Sequence, residues 1–278
     1  MYFIDTHAHL DMLKKRTPAE AVAKSKEEGV RYIINVGSSI DGSIKSLEYA
    51  HKFPDVFASI GIHPHYASAF GDEEVKVLES LIRGSHGEIN IDPSTGGARY
   101  KKVVAMGEAG FDFYRNLSLC TDQERAFRSQ IGLAIKYDIP IIIHDRDAHE
   151  ETLRVLKDYS AREGFRGVVH CFSGDTAFAM QCLEMGLYIS YTGVITFPNA
   201  ADTLEVVKKV PIERVFIETD TPFLAPQIRR GKENFPGYVR YIAQKIAEVK
   251  NLSVEEVAEI TSKNAEDFFG ININDHQK

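Results

Sequence analysis

The sequence predicts an α/β protein of the (β/α)8 TIM-barrel class, on three observations. Short runs rich in Ile, Val and Phe recur eight times between longer amphipathic segments, as parallel strands alternating with helices require. Helix-start signals fall between those runs. Histidines and carboxylates stand where several of the runs end.

In chain order, strands are expected at Tyr2–Thr6, Arg31–Val36, Val56–Ile60, Lys102–Gly107, Ile139–Ile143, Gly167–Val169, Leu187–Ser190 and Arg214–Glu218. Thr17, Pro18 and Glu20 supply a cap, a first-turn proline and an acidic partner for a helix over Ala21–Glu28. Thr121 with Glu124 makes a capping box before Asp122–Tyr137, whose Phe127, Ile131, Ala134 and Ile135 share an apolar stripe. Ser253 with Glu256 repeats the device before Val254–Thr261. Gly84–Lys101 is polar and turn-forming and reads as a surface excursion before the fourth strand. Pro222–Gly237 is irregular and follows the eighth strand, where a barrel places functional loops. One barrel unit over 1–270 and a polar tail over 271–278 are the expected organisation.

Composition narrows the function. With 33 basic against 40 acidic residues the net charge is −7, which argues against a broad basic surface gripping duplex nucleic acid by charge alone. It leaves room for a small cleft in which metal ions supply the positive charge. Three cysteines, Cys120, Cys171 and Cys182, form no CxxC pair, so neither a disulfide scaffold nor a thiolate zinc site is indicated. No apolar run approaches the ~18 residues needed to cross a bilayer, and the N-terminal residues lack the regions of a signal peptide. A cytoplasmic location, no membrane partner and no obligate protein partner are the expectations.

The chemistry collects at strand ends. The first strand ends in His7-Ala8-His9, and extended geometry turns residues two apart to one face, so both imidazoles can reach one ion. Glu108 follows Val-Val-Ala-Met-Gly, His144 follows Pro-Ile-Ile-Ile, His170 follows Gly-Val-Val, and Asp220 follows Phe-Ile-Glu-Thr. In a barrel those ends converge on one mouth. Singly, His144 or His170 reads as a hydrogen-bonded core histidine. Together, imidazoles and carboxylates suit zinc, manganese or another divalent ion, and a carboxylate between two cations offsets their repulsion.

The chain resembles the TatD family of metal-dependent hydrolases and deoxyribonucleases, within the amidohydrolase-like barrels. The motifs are Phe-Ile-Asp-Thr-His-Ala-His-Leu-Asp at the start, Gly-Ile-His-Pro-His at Gly61–His65, GEAGFDFY at Gly107–Tyr114, His144-Asp-Arg-Asp-Ala, His170-Cys-Phe-Ser-Gly, Glu218-Thr-Asp-Thr-Pro-Phe-Leu and Arg230-Gly-Lys-Glu-Asn. The resemblance implies two divalent ions, Mg²⁺, Mn²⁺ or Zn²⁺. One would be held by His7, His9, Glu108 and Asp220, and Glu108 would bridge to a second held by His144 and His170. Glu108 and Asp220 are the implied catalytic carboxylates, with Asp220 orienting or deprotonating the attacking water.

Other positions carry two readings each. The resemblance makes His63 and His65 substrate or phosphate contacts; otherwise they are a structural pair. Arg146 either pairs with a carboxylate or binds phosphate, and Ser173 either contacts phosphate or caps a helix. Asp112 orients ligands, binds substrate or makes a loop hydrogen bond. Arg230 and Lys232 carry the charge to meet a nucleic-acid backbone. Cys171 reads as a buried packing thiol, and Phe113, Tyr114, Phe172 and Tyr191 as core aromatics of which some stack on a base. Ala109 and Phe111 stand where the family more often has Ile or Cys and Leu, which alters packing and leaves Glu108 and Asp112 in place.

The function implied is hydrolysis of DNA phosphodiesters at single-stranded ends, with DNA as the partner. Rival readings are an amide, ester or lactone hydrolase, an aminoacyl-tRNA deacylase, and a weakly catalytic DNA-repair scaffold.

Overall fold

The structure is a computed structural model that describes residues 1–85 and 101–271. Eight strands, β1 Phe3–Ala8, β2 Val30–Val36, β3 Val56–Ile60, β4 Val103–Asp112, β5 Ile141–Arg146, β6 Gly167–Val169, β7 Tyr188–Tyr191 and β8 Val215–Ile217, pair in sequence order, every ladder parallel. The helices are α1 Pro18–Glu27, α2 Ile40–Lys52, α3 Asp72–Gly84, α4 Cys120–Lys136, α5 His149–Lys157, α6 Thr176–Glu184, α7 Ala201–Lys209, α8 Val239–Lys250 and α9 Val254–Phe269. Strand and helix alternate from β1 to α8, which is the expected TIM-barrel order. Among the described residues no helix is long and apolar enough to cross a membrane.

Four strands, β1, β4, β5 and β7, end later than expected, and β8 ends one residue earlier, at Ile217. β1, β4 and β5 run on past their apolar residues to take in His7, Glu108, Asp112 and His144. Polar side chains end the apolar run, but the backbone ladder does not need apolar side chains, and Phe111 and Asp112 still pair with Asp145 and Arg146. Alternation then aims the site. Ile142 and Val168 lie in the cluster filling the barrel, and His144 and His170, two residues further on, follow their face. From Ile4, strict alternation would turn His7 outward; the β1–β2 register shifts between Asp5 and Ala8, and His7 joins the inner group.

The capping boxes at Thr17/Glu20 and Ser253/Glu256 form, and α1 begins at Pro18, three residues before the expected start. The box at Thr121/Glu124 does not form. α4 already begins at Cys120, and the Glu124 carboxylate is taken by Arg128 and Arg154 instead. α9 continues to Phe269, so Phe268, Phe269 and Ile271 close the lower end of the barrel against Phe216 and Ile4, while Asn264 donates to the carbonyls of Ile212 and Val215. Ile271, the first residue of the expected tail, is buried there. The rest of that tail, 272–278, and positions 86–100 of the polar excursion lie outside the described residues.

Between β1 and β8 the wall closes through the segment after β8. Ala8 bridges Thr221, the His9 N–H donates to the Thr221 carbonyl at 2.8 Å, and the Asp220 N–H donates to the His7 carbonyl at 2.9 Å. The buried Asp5 carboxyl accepts from the Thr219 N–H at 2.9 Å and from its hydroxyl at 2.5 Å. Burial holds Asp5 well above the usual carboxylate range even against those bonds.

Lys102, 2% exposed, donates to the carbonyls of Pro54 and Val56 at 3.0 Å beneath the barrel. Burial lowers its pKa from 10.5 to about 8. The unfolded chain therefore keeps this proton to higher pH than the folded chain, so stability rises between pH about 8 and 10.5. Denaturant unfolding across that window should show wild type gaining up to about 3 kcal/mol relative to Lys102→Met. Parallel curves for the two proteins would refute this account.

Candidate metal centre

His7, His9, Glu108, His144, His170 and Asp220 meet at the C-terminal mouth of the barrel. The Nε2 atoms of His7 and His9 lie 3.2 Å apart, and Asp220 Oδ1 is 3.8 Å from the first and 3.4 Å from the second. Glu108 is central, with carboxylate oxygens 3.7 Å from His7 Nε2, 3.5 Å from His9 Nε2, 3.4 Å from His144 Nδ1 and 2.9 Å from His170 Nε2. His144 Nδ1 and His170 Nε2 are 3.1 Å apart. Residues in strands one, four and five and just past strands one, six and eight thus form one donor cluster, buried except for the partly exposed His144 and Asp220.

Glycines let β4 carry Glu108 this close to β5. An added Cβ at Gly107 would lie 2.5 Å from the Ile142 carbonyl oxygen, and one at Gly110 2.0 Å from that of His144. Both glycines have positive φ, +122° and +151°, which side-chain-bearing residues rarely adopt.

Neighbours hold several imidazoles in place. His9 Nδ1 lies 2.8 Å from the Val36 carbonyl, which fixes its donor there and frees Nε2 for the cluster. Glu218, 1% exposed, sets its carboxylate 3.4 Å from His170 Nδ1 and accepts the Cys171 N–H at 2.7 Å. Asp112 Oδ2 stands 3.3 Å from His144 Nε2 and 3.0 Å from His65 Nε2. His63, Asp112 and His144 form a further group of converging donors. The sequence reading did not expect that grouping, nor any role for Glu218.

The carboxylates and imidazoles of the cluster set one another's protonation. Burial pushes the Glu108 carboxyl upward, but His63, His170, His7 and the His144 hydrogen bond outweigh it and hold Glu108 well below the usual range. Burial likewise opposes protonation of His9, yet Asp220 and Glu108 raise it to about 9. His170 is raised against burial by Glu108 and Glu218, whereas burial and His170 depress His7 well below 6.5. Among the described residues every ion pair made by Glu108, Asp112 and Asp220 is to a histidine. Three carboxylates with imidazoles, and among the described residues no lysine or arginine side chain paired to them, make a donor set that fits divalent cations.

The remaining sequence candidates lie further out. Arg146 is exposed and stacks on Tyr114, its guanidinium carbon 3.9 Å from the ring centroid, and among the described residues it pairs with no carboxylate. Ser173 is exposed and does not cap α6; Asp175 does, accepting the Phe178 N–H, because the helix starts two residues later than a Ser173 cap needs. Arg230 and Lys232 are exposed in the loop after β8, with Arg230 over the Phe197 ring. Cys171 is partly exposed at φ +45° beside Thr192, not a fully buried packing thiol. Phe172 and Tyr191 are buried and unable to meet a base, whereas Tyr114, Tyr66 and Phe223 are each more than half exposed on loops at the mouth.

A closed run of parallel strands with histidine and carboxylate donors at its C-terminal mouth defines a metal-dependent hydrolase. The sequence pattern described as TatD related DNase matches residues 4–270, and the chain belongs to that family. It is 39% identical to YabD of Bacillus subtilis, named an uncharacterized metal-dependent hydrolase, over 96% of this chain and 99% of that one. It is 30% identical to a Klebsiella pneumoniae protein named 3'-5' ssDNA/RNA exonuclease TatD, over 92% of each. The crystal structure of YJJV, a TatD homolog from Escherichia coli, superposes with a TM-score of 0.84 at 26% identity, covering 97% and 98% of the two chains.

Glu218→Gln is expected to lower metal affinity about 10–100-fold while the fold persists, because the amide orients His170 less firmly. Metal titration followed by calorimetry measures it. Affinity equal to wild type would remove Glu218 from the orienting role.

Proposed function

We propose that the protein hydrolyses DNA phosphodiester bonds, releasing nucleotides from single-stranded ends with the help of two divalent ions. The observation that carries the reading is Glu108, within 3.7 Å of four imidazoles that approach it from two sides. In this reading His7, His9, Asp220 and Glu108 hold one ion, and Glu108, His144 and His170 the other. Bound divalent cations supply Lewis acidity, lower the pKa of water and spread the phosphoryl charge.

The chain's own residues divide the remaining tasks. The Asp220 carboxylate is 15% exposed against 5% for Glu108, so Asp220 is the one placed to accept the proton of an attacking water. Glu108 stays ionised and fixed. His63, His65 and Asp112 line the approach and position the phosphate; Arg146, Arg230 and Lys232 attract the backbone. The exposed rings of Tyr66, Tyr114 and Phe223 offer faces to unpaired bases, which a duplex would not present. The name of the Klebsiella relative supports a single-stranded nucleic acid as substrate.

Single-stranded DNA labelled separately at its 5′ and 3′ ends tests this, with chelated protein compared against protein restored with Mg²⁺, Mn²⁺ or Zn²⁺. Metal-dependent shortening from one end is expected. An intact strand in every restored sample, with release of an acyl group from an ester or aminoacyl-tRNA, would replace phosphorus by carbonyl carbon as the target.

A further inference from the structure

The loops after β1 and β8 lie side by side across the barrel closure, and both are basic. Residues 10–17 and 222–237 contain six cations, Lys14, Lys15, Arg16, Arg229, Arg230 and Lys232, against two carboxylates, Asp11 and Glu233, in a chain of net charge −7. One of those carboxylates joins the loops. Glu233 Oε1 accepts the backbone N–H groups of Lys14 and Lys15 at 2.8 and 2.9 Å, and Oε2 lies 3.6 Å from the Arg16 guanidinium. Glu233 itself is followed by buried Asn234, whose amide donates to the carbonyls of Thr219 and Phe223 beside Asp220. The Lys14 and Lys15 backbones are thereby fixed relative to the donor cluster. Both side chains remain exposed, and among the described residues neither ammonium meets a carboxylate.

We propose that Lys14 and Lys15, held by Glu233 beside Arg230 and Lys232, form a phosphate-binding ridge for the part of a single strand beyond the cleaved nucleotide. This rests on the nuclease reading above. Two lysines on a loop tip are ordinarily solvated surface; here the Glu233 carboxylate spends both its oxygens on their backbone and on Arg16, which leaves the ammonium groups unneutralised. Glu233 is a positioning residue in this scheme. Its negative charge opposes the binding that its geometry promotes, and that opposition gives the test its direction.

Anisotropy of labelled oligo-dT carrying uncleavable phosphorothioate linkages, with metal-loaded protein over a range of salt, measures the ridge. The Lys14→Gln/Lys15→Gln double variant is expected to bind at least tenfold more weakly. Its log Kd against log salt slope should fall by about 1.4, two lost contacts at about 0.7 each for a single strand. In steady-state cleavage the loss should appear in KM rather than kcat and should grow from dinucleotide to long oligonucleotide. Glu233→Ala, although it removes a negative charge, should also weaken binding, and Glu233→Gln, which retains an acceptor oxygen, should restore part of it. Equal affinity and slope in the double variant, or tighter binding by Glu233→Ala, would overturn the ridge while wild type still binds and cuts DNA. Wild type that neither binds nor cuts it would overturn the nuclease reading and the ridge together.

Discussion

Glu108→Gln is expected to abolish metal-dependent hydrolysis, by about three orders of magnitude or more, equivalent to about 4 kcal/mol of barrier. The cause is the position of the carboxylate among His7, His9, His144 and His170. An amide keeps the shape but removes the charge that, in the proposed two-ion arrangement, would offset both cations, so both sites would weaken at once rather than one. Elemental analysis of the purified variant should show depletion beyond what loss of a single ligand to one ion would give. Circular dichroism should be unchanged, since the side chain lies at the mouth and not in the apolar clusters. A variant with wild-type metal content and turnover would remove Glu108 from the centre of the mechanism.

Gly110→Ala should be the most destabilising methyl group that can be added near the site, by about 3 kcal/mol or more, from steric overlap together with an unfavourable φ. The added Cβ would meet the His144 carbonyl oxygen at 2.0 Å, a backbone atom within a strand that cannot turn aside. β4 and β5 would separate at this register pair, and His144 would move away from Glu108. The same substitution at Gly132 provides the contrast. That glycine is exposed in α4 with nothing within 4 Å of an added Cβ, so Ala there should stabilise by about 0.5–1 kcal/mol. Denaturant midpoints for the two variants should therefore move in opposite directions; a shared direction would refute the steric account.

The barrel was legible in the sequence because eight buried parallel strands need apolar runs, and polar residues at their ends stand out against them. His7 and His9 were visible for that reason, as were Glu108, His144 and His170. Glu218 was harder to assign. It lies one residue past β8, and its role depends on which way its carboxylate faces, a property that emerges only when His170 is across from it. The failed box at Thr121 has a similar origin, since the arginines that claim Glu124 include Arg154 from α5, thirty positions away. The ends of β1, β4 and β5 were placed too early because hydrophobicity reports burial and not backbone pairing. Glu233 sits inside the Arg230-Gly-Lys-Glu-Asn motif, but nothing local assigns its carboxylate a role. Its partners are some two hundred residues earlier in the chain.

The closure between β1 and the segment after β8 also orders events in time. Residues 7 and 9 are synthesised some two hundred positions before residue 220, with the intervening strands paired only to sequence neighbours. The wall cannot close until Thr219, Asp220 and Thr221 reach Asp5, His7 and His9. A chain synthesised only as far as β8 therefore holds these two histidines without Asp220, and its donor cluster is incomplete. An ion shared by His7, His9 and Asp220 would then act as a clasp on a loop of some two hundred residues, joining ends whose meeting carries a large entropic cost.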